Sequence, residues 1–134
     1  MLVDIDQDVR RKMNPEIKAK WVAALRSGKY KQGKAVLKDT EGRFCCLGVL
    51  CDIYNPDGWG EPVTVGVVYT GHSFGVEGDC SSTVLPDVVV KWANMPGSNP
   101  TVIVNECGDS ISVAELNDQG DTFVDIADLI EENL

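Results

Sequence analysis

The sequence predicts a single compact α+β domain in which a small antiparallel sheet of hairpins packs with about four to five short helices. Three observations predict it. Apolar residues recur at helical spacing in several short segments, each bounded by a capping or stopping residue. Strand–turn–strand segments lie between those helices. The order along the chain is helix, hairpin, helix, irregular strands, helix, hairpin, helix, helix, which is not the alternation of βαβ units. A length of 134 residues fits one domain and is enough to bury a core without disulfides or metal.

Residues 1–13 read as a loosely held tail, alternating Asp with Val and Ile before Arg10-Arg11-Lys12. Asn14-Pro15-Glu16 then opens a helix over 14–27: Asn14 caps, Pro15 suits the first turn and Glu16 suits the positive end of the dipole. Ile17, Trp21, Ala24 and Leu25 fall on one face, and Gly28 supplies the left-handed stop. A basic loop, Lys29 to Lys34, leads into a predicted hairpin with Ala35–Lys38 as first strand, Asp39–Gly42 as turn and Arg43–Cys46 as return.

The run from Arg43 to Asp52 is the longest apolar stretch and holds three of the five cysteines, so the rest of the domain should pack around it. From Leu47 it reads as helix, ending before the turn cluster Asn55-Pro56-Asp57-Gly58. The segment 55–83 is irregular and Gly-rich, with Val63–Val65 and Val67–Tyr69 as strand material around a bulge at Gly66, and Phe74–Val76 as a further short strand. Leu85-Pro86-Asp87 opens a helix that buries Val88, Val89, Trp92 and Ala93. Thr101–Val104 and Ser110–Ser112 form a second hairpin around Asn105–Asp109. Ser112 caps a short helix that stops at Gly120, and Thr122 caps the last one, whose buried face is Phe123, Ile126, Ala127 and Ile130.

Charge is segregated. Residues 1–43 carry 11 basic and 6 acidic side chains, whereas residues 44–134 carry one basic residue, Lys91, and 15 acidic ones. The halves face one another within the fold or across a homodimer, lie on solvated faces, or leave a basic concavity beside an acidic outer surface. No apolar stretch approaches a membrane span, and the acidic N-terminus has no signal-peptide core, so the chain reads as soluble and cytoplasmic. Five cysteines, two of them adjacent, read as free thiols packing as small apolar groups in a reducing compartment.

Several segments together resemble a family of small accessory proteins of tailed bacteriophages and prophages. They are Trp21-x-x-Ala24-Leu25-Arg26-Ser27-Gly28, the run Phe44-Cys45-Cys46-Leu47-Gly48-Val49-Leu50-Cys51, Leu85-Pro86 with Trp92, and Leu116-Asn117-Asp118-Gln119-Gly120-Asp121-Thr122-Phe123 through Ile126-Ala127-Asp128. The resemblance covers about residues 14–54 and 84–134. It implies a phage accessory protein working in the host cytoplasm more than a virion part, and it supplies no catalytic or binding residues.

Four kinds of chemistry come into question for these residues. Cys45, Cys46, Cys51, Cys80, Cys107 and His72 are soft ligands, but their spacing is not that of a zinc site. Cys46 with His72 is the available thiol–imidazole pair, yet apolar neighbours would hold the thiol protonated. Asp118, Asp121, Asp125 and Asp128 are explained by polar helix faces. The basic cluster Arg26, Lys29, Tyr30, Lys31, Lys34 and Arg43 suits a small anion held by charge, bidentate hydrogen bonds and stacking. Extended nucleic acid is disfavoured by the net charge of −9.

The expected function is therefore a phage-encoded host-interaction or anti-defence protein that sequesters a nucleotide-type immune signal by binding, at the six residues of the basic cluster and at an oligomer interface. One alternative is an acidic inhibitor that presents its C-terminal half to a basic host defence protein. The other is an enzyme of unrecognised type, although the residues lean away from catalysis. No cofactor, metal or membrane partner is expected, and a homo-oligomer is allowed.

Overall fold

The computed structural model describes residues 12–65, 69–76 and 79–134, and shows five helices and two small antiparallel sheets. The helices are α1 (Pro15–Arg26), α2 (Cys46–Tyr54), α3 (Asp87–Ala93), α4 (Val113–Gln119) and α5 (Phe123–Asn133). Strands β1 (Trp59–Val65), β2 (Tyr69–Val76) and β3 (Asp79–Ser81) form one sheet in that order, and β4 (Thr101–Ile103) pairs with β5 (Ser110–Ser112) in the other. The expected α+β class stands. Gly66 and Val67-Val68 lie outside the described residues, as does the tail up to Arg11.

Local sequence accounts for the helix ends. Asn14 accepts from the amides of Glu16 and Ile17, Ser112 from Glu115, and Thr122 from Asp125. Each such cap stabilises its helix by about 1 kcal/mol. Gly120, at φ +108°, ends α4 in the left-handed region, and Asn94, at φ +55°, does the same for α3. The tail reading of 1–13 is too long, because Met13 is buried in the core and the amide of Asn14 donates to Ala93.

Helix α2 is the hub. Cys46 through Cys51 are all buried, and Trp21 of α1 donates its indole N–H to the carbonyl of Cys46 at 2.9 Å. Gly48 lies where the chain must come close: a β-carbon there would stand 1.9 Å from the Leu37 carbonyl oxygen. Helix α5 packs on α1 and on β4 and buries Phe123, Ile126, Ala127 and Ile130, as its periodicity predicts. In α3 only Val89 and Ala93 are fully buried; Val88 and Trp92 are half-buried, with Trp92 edge-on to Tyr54.

The hairpin expected over residues 35–46 is a correction. The turn exists, with the amide of Asp39 donating to Arg43 O, but only isolated bridges join Lys38 and Gln32 to Phe44. Ala35 sits at φ +71°, a conformation no strand adopts. The Cys45 amide still donates across the turn to Leu37 O, but the Ala35 amide goes to the Asp118 carboxylate and the Leu37 amide to the Ser82 carbonyl, so the ladder extends no further.

The two halves of opposite charge meet where α1 packs on α5. Arg26 at the end of α1 pairs with Asp128 and Glu131 of α5. Lys18 and Lys12 donate to the carbonyls of Glu131 and Asn133 at the negative end of α5.

Candidate functional site

The loop from Lys29 to Arg43 is held to the α4–α5 corner by a set of polar contacts. Asn117 is 0% exposed, the sole fully buried polar side chain among the described residues. Its amide donates to Gly33 O at 2.7 Å, and its Oδ1 accepts from the Cys46 amide at 3.2 Å and from Gln32 Nε2 at 3.0 Å. Gln32 also donates to the Asp121 carbonyl and accepts from the Phe123 amide. Asp118 takes the amide of the left-handed Ala35 at 2.8 Å.

Gln32 and Gly33 of that clamp also line a surface cleft of about 490 Å³, together with Lys34, Val36, Asp39, Thr40, Glu41, Arg43 and Thr70. Gly33 lets residue 43 come close: a β-carbon there would stand 2.9 Å from Arg43 Cβ. Asp39 is the anchor of the 39–43 turn. Its Oδ1 accepts from the amides of Glu41 and Arg43, both at 2.9 Å, and its Oδ2 accepts from Arg43 Nε at 2.7 Å. Burial pushes the Asp39 carboxyl up, but these donors outweigh it and leave its pKa below the ordinary value. Arg43 Nη2 donates to Glu41 Oε2 at 3.0 Å.

The cleft thus gathers two cations, two carboxylates and two threonine hydroxyls. Of the six residues expected at an anion site, it brings Lys34 and Arg43 together. Arg26 lies outside the cleft lining and pairs with Asp128 and Glu131 of α5. Tyr30 donates its hydroxyl to Asp52 at 2.7 Å and packs edge-on against Phe44. Burial, then the bond to Asp52, raises the Tyr30 phenol to about 12. Its hydroxyl is committed to Asp52, and its ring begins an aromatic chain through Phe44, Trp59 and Phe74. Lys29 and Lys31 are exposed and outside the cleft lining.

The other chemistries resolve into structural roles. Cys45, Cys46 and Cys51 are buried, and burial raises all three thiols, Cys45 to about 11. The Cys46 thiol donates to the Val113 carbonyl, whereas His72 Nδ1 lies 2.8 Å from Gly60 O, so the two have different partners. Cys107 is exposed in the β4–β5 turn. Among the described residues no three His, Cys, Asp or Glu side chains gather as a metal site. Asp118 and Asp128 have separate partners in Ala35 and Arg26.

Sequence reasoning did not pick out Asn117, Gln32, Asp52 or the cleft threonines. One signal was present: Val113, Leu116, Asn117 and Gly120 fall at i, i+3, i+4 and i+7, which puts an asparagine on the buried face of α4. Among the described residues no helix is long and apolar enough to cross a membrane.

Fold and cleft together define a small α+β domain with a surface cleft of mixed charge, made by one loop clamped onto a helical corner. The family model described as Domain of unknown function (DUF8296) matches residues 13–134, and the chain belongs to that family. No curated protein and no solved structure matches it.

Proposed function

We propose that this is a phage-encoded anti-defence protein that acts in the host cytoplasm by binding, sequestering a small nucleotide-type anion in the 32–43 cleft. The phage context rests on the resemblance of the Phe44–Cys51 and Leu116–Asp128 segments. The observation that supports the ligand class is the convergence of Lys34, Arg43, Thr40 and Thr70 on one cleft of about 490 Å³, with Arg43 oriented by Asp39. A guanidinium held in place recognises phosphate oxygens bidentately, and hydroxyls complete the shell. The net charge of −9 weakens this attraction only locally, since charges beyond about 8 Å are screened at physiological salt. Calorimetry with a panel of cyclic and ADP-ribose-type nucleotides tests the reading. One of them binds, and Lys34→Ala with Arg43→Ala abolishes the heat; a panel that gives none overturns it.

A second reading has its own observation. Glu106, Glu115, Asp125 and Glu132 are exposed and make no ion pair among the described residues. Ile103 and Val104, 48% and 40% exposed, lie beside Glu106 and Glu132 in a shallow groove. Such a surface suits a basic host protein, steered by charge. Capture of a host protein that is lost at high salt and on Ile103→Ser, with no nucleotide bound, would support this inhibitor role instead.

A further inference from the structure

We propose that Glu41 is a built-in competitor for the Arg43 guanidinium, displaced by a ligand's phosphate but not by a carboxylate. This rests on the anion-cleft reading above and adds its regulation and its ligand class.

Arg43 is divided between two carboxylates. Asp39 holds Nε at 2.7 Å, is itself only 14% exposed in its side chain, and is fixed by two backbone amides. That contact orients the guanidinium of a residue that lines the cleft. Glu41 takes a second nitrogen, Nη2, at 3.0 Å. Nη1 has no hydrogen-bond partner among the described residues.

The two carboxylates are therefore not equivalent. Glu41 is 73% exposed in its side chain and holds Arg43 through one contact two residues away. Exposed pairs of this kind contribute little, because solvent screens them and ordering two long side chains costs entropy. A phosphate dianion brings more charge and two oxygens to the Nη1–Nη2 edge, the geometry that binds guanidinium best. Lys34 on the same cleft adds a second cation, so a diphosphate is better matched than a single phosphate. A carboxylate ligand carries no more charge than Glu41 and lacks the proximity that Glu41 has. Glu41 thus sets a threshold that mono-carboxylates do not cross and phosphate esters do.

Calorimetry of the full chain with inorganic pyrophosphate at low ionic strength tests this. Wild type binds, acetate does not, and E41Q tightens pyrophosphate binding about 3- to 10-fold, as expected for removing a weak competing pair. E132Q removes the same charge from α5 and changes binding less than about 2-fold, because the site is remote and screened. R43K weakens binding about 10-fold by losing the bidentate edge. In an R43K background, E41Q then adds nothing beyond the E132Q effect. Circular dichroism confirms that each variant is folded. If wild type binds and E41Q gains no more than E132Q, or gains equally in the R43K background, the competitor role is overturned while the cleft reading survives. If neither folded wild type nor folded E41Q binds pyrophosphate, both fall.

Discussion

The side-chain amide of Asn117 donates to the carbonyl of Gly33 across a span of 84 residues, at 2.7 Å and fully shielded from water. The same side chain accepts from the first amide of α2. It therefore joins the loop that carries Lys34, the hub helix and α4 in one contact set. The Leu116–Phe123 segment, distinctive in sequence, is in this light a clamp: Asn117, Asp118, the Asp121 carbonyl and the Phe123 amide all engage residues 32–35.

Asn117→Ala leaves Gly33 O without this buried donor and the Cys46 amide without this acceptor. It should cost about 2–4 kcal/mol, since each buried group left unsatisfied costs about 1–3 kcal/mol. Urea unfolding measures the loss. Crosslinking or hydrogen exchange in residues 32–36 should show the loop loosened in the fraction that stays folded.

Gly48→Ala tests the close approach of α2 to Leu37. On helix propensity alone the change would stabilise by about 1 kcal/mol. The added β-carbon meets a backbone oxygen, not the tip of a flexible side chain, and so the sign reverses. A net loss of about 1–3 kcal/mol is expected, in the range of overpacked cores. A midpoint that rises would show that the loop can withdraw.

Tyr30→Phe isolates a contact that sequence reasoning assigned to ligand stacking. Asp52 retains only the Trp59 indole, 3.0 Å from its Oδ1, and stability falls by about 1–2 kcal/mol. Alkaline absorbance titration checks the phenol directly. Its pKa is raised on folding to about 12, so its contribution is complete below the unfolded value near 10 and is lost as pH rises through about 12. The wild-type minus Tyr30→Phe difference curve should therefore show the late-titrating phenol.

Asp39 has the opposite sign. Its folded pKa is depressed, so its contribution is present above the unfolded value of about 4 and disappears as pH falls through the folded one. The stability difference between wild type and Asp39→Ala should be larger at neutral pH than in acid, where it narrows. Chemical unfolding at the two pH values decides it.

Thiol labelling reads the core. Cys107 should react promptly with a maleimide in the native state, whereas Cys45, Cys46 and Cys51 should label only as the domain opens. Peptide mass spectrometry resolves the positions. Fast native labelling of Cys46 would contradict the buried placement of α2.

What the sequence determined by itself is what neighbouring residues decide. The Asn14, Ser112 and Thr122 caps, the Gly120 stop, the apolar stripes of α1 and α5 and the burial of the Cys45–Cys51 run all follow from spacings of a few residues. Segregated charge was also legible, and the pairing of Arg26 with α5 is one result of it.

Only the tertiary structure decided the rest. The expected strand at Ala35–Lys38 gave way because the distant Asp118 and Ser82 took its amides. The six-residue basic cluster was divided because Asp52, Asp128 and Glu131 claimed Tyr30 and Arg26, leaving Lys34 and Arg43 on the cleft. The physical reason is the same in both cases. A cap or stripe is settled within one turn of helix, whereas a polar group pairs with whichever partner the packed chain brings to it, and here those partners lie 22 to 105 residues away.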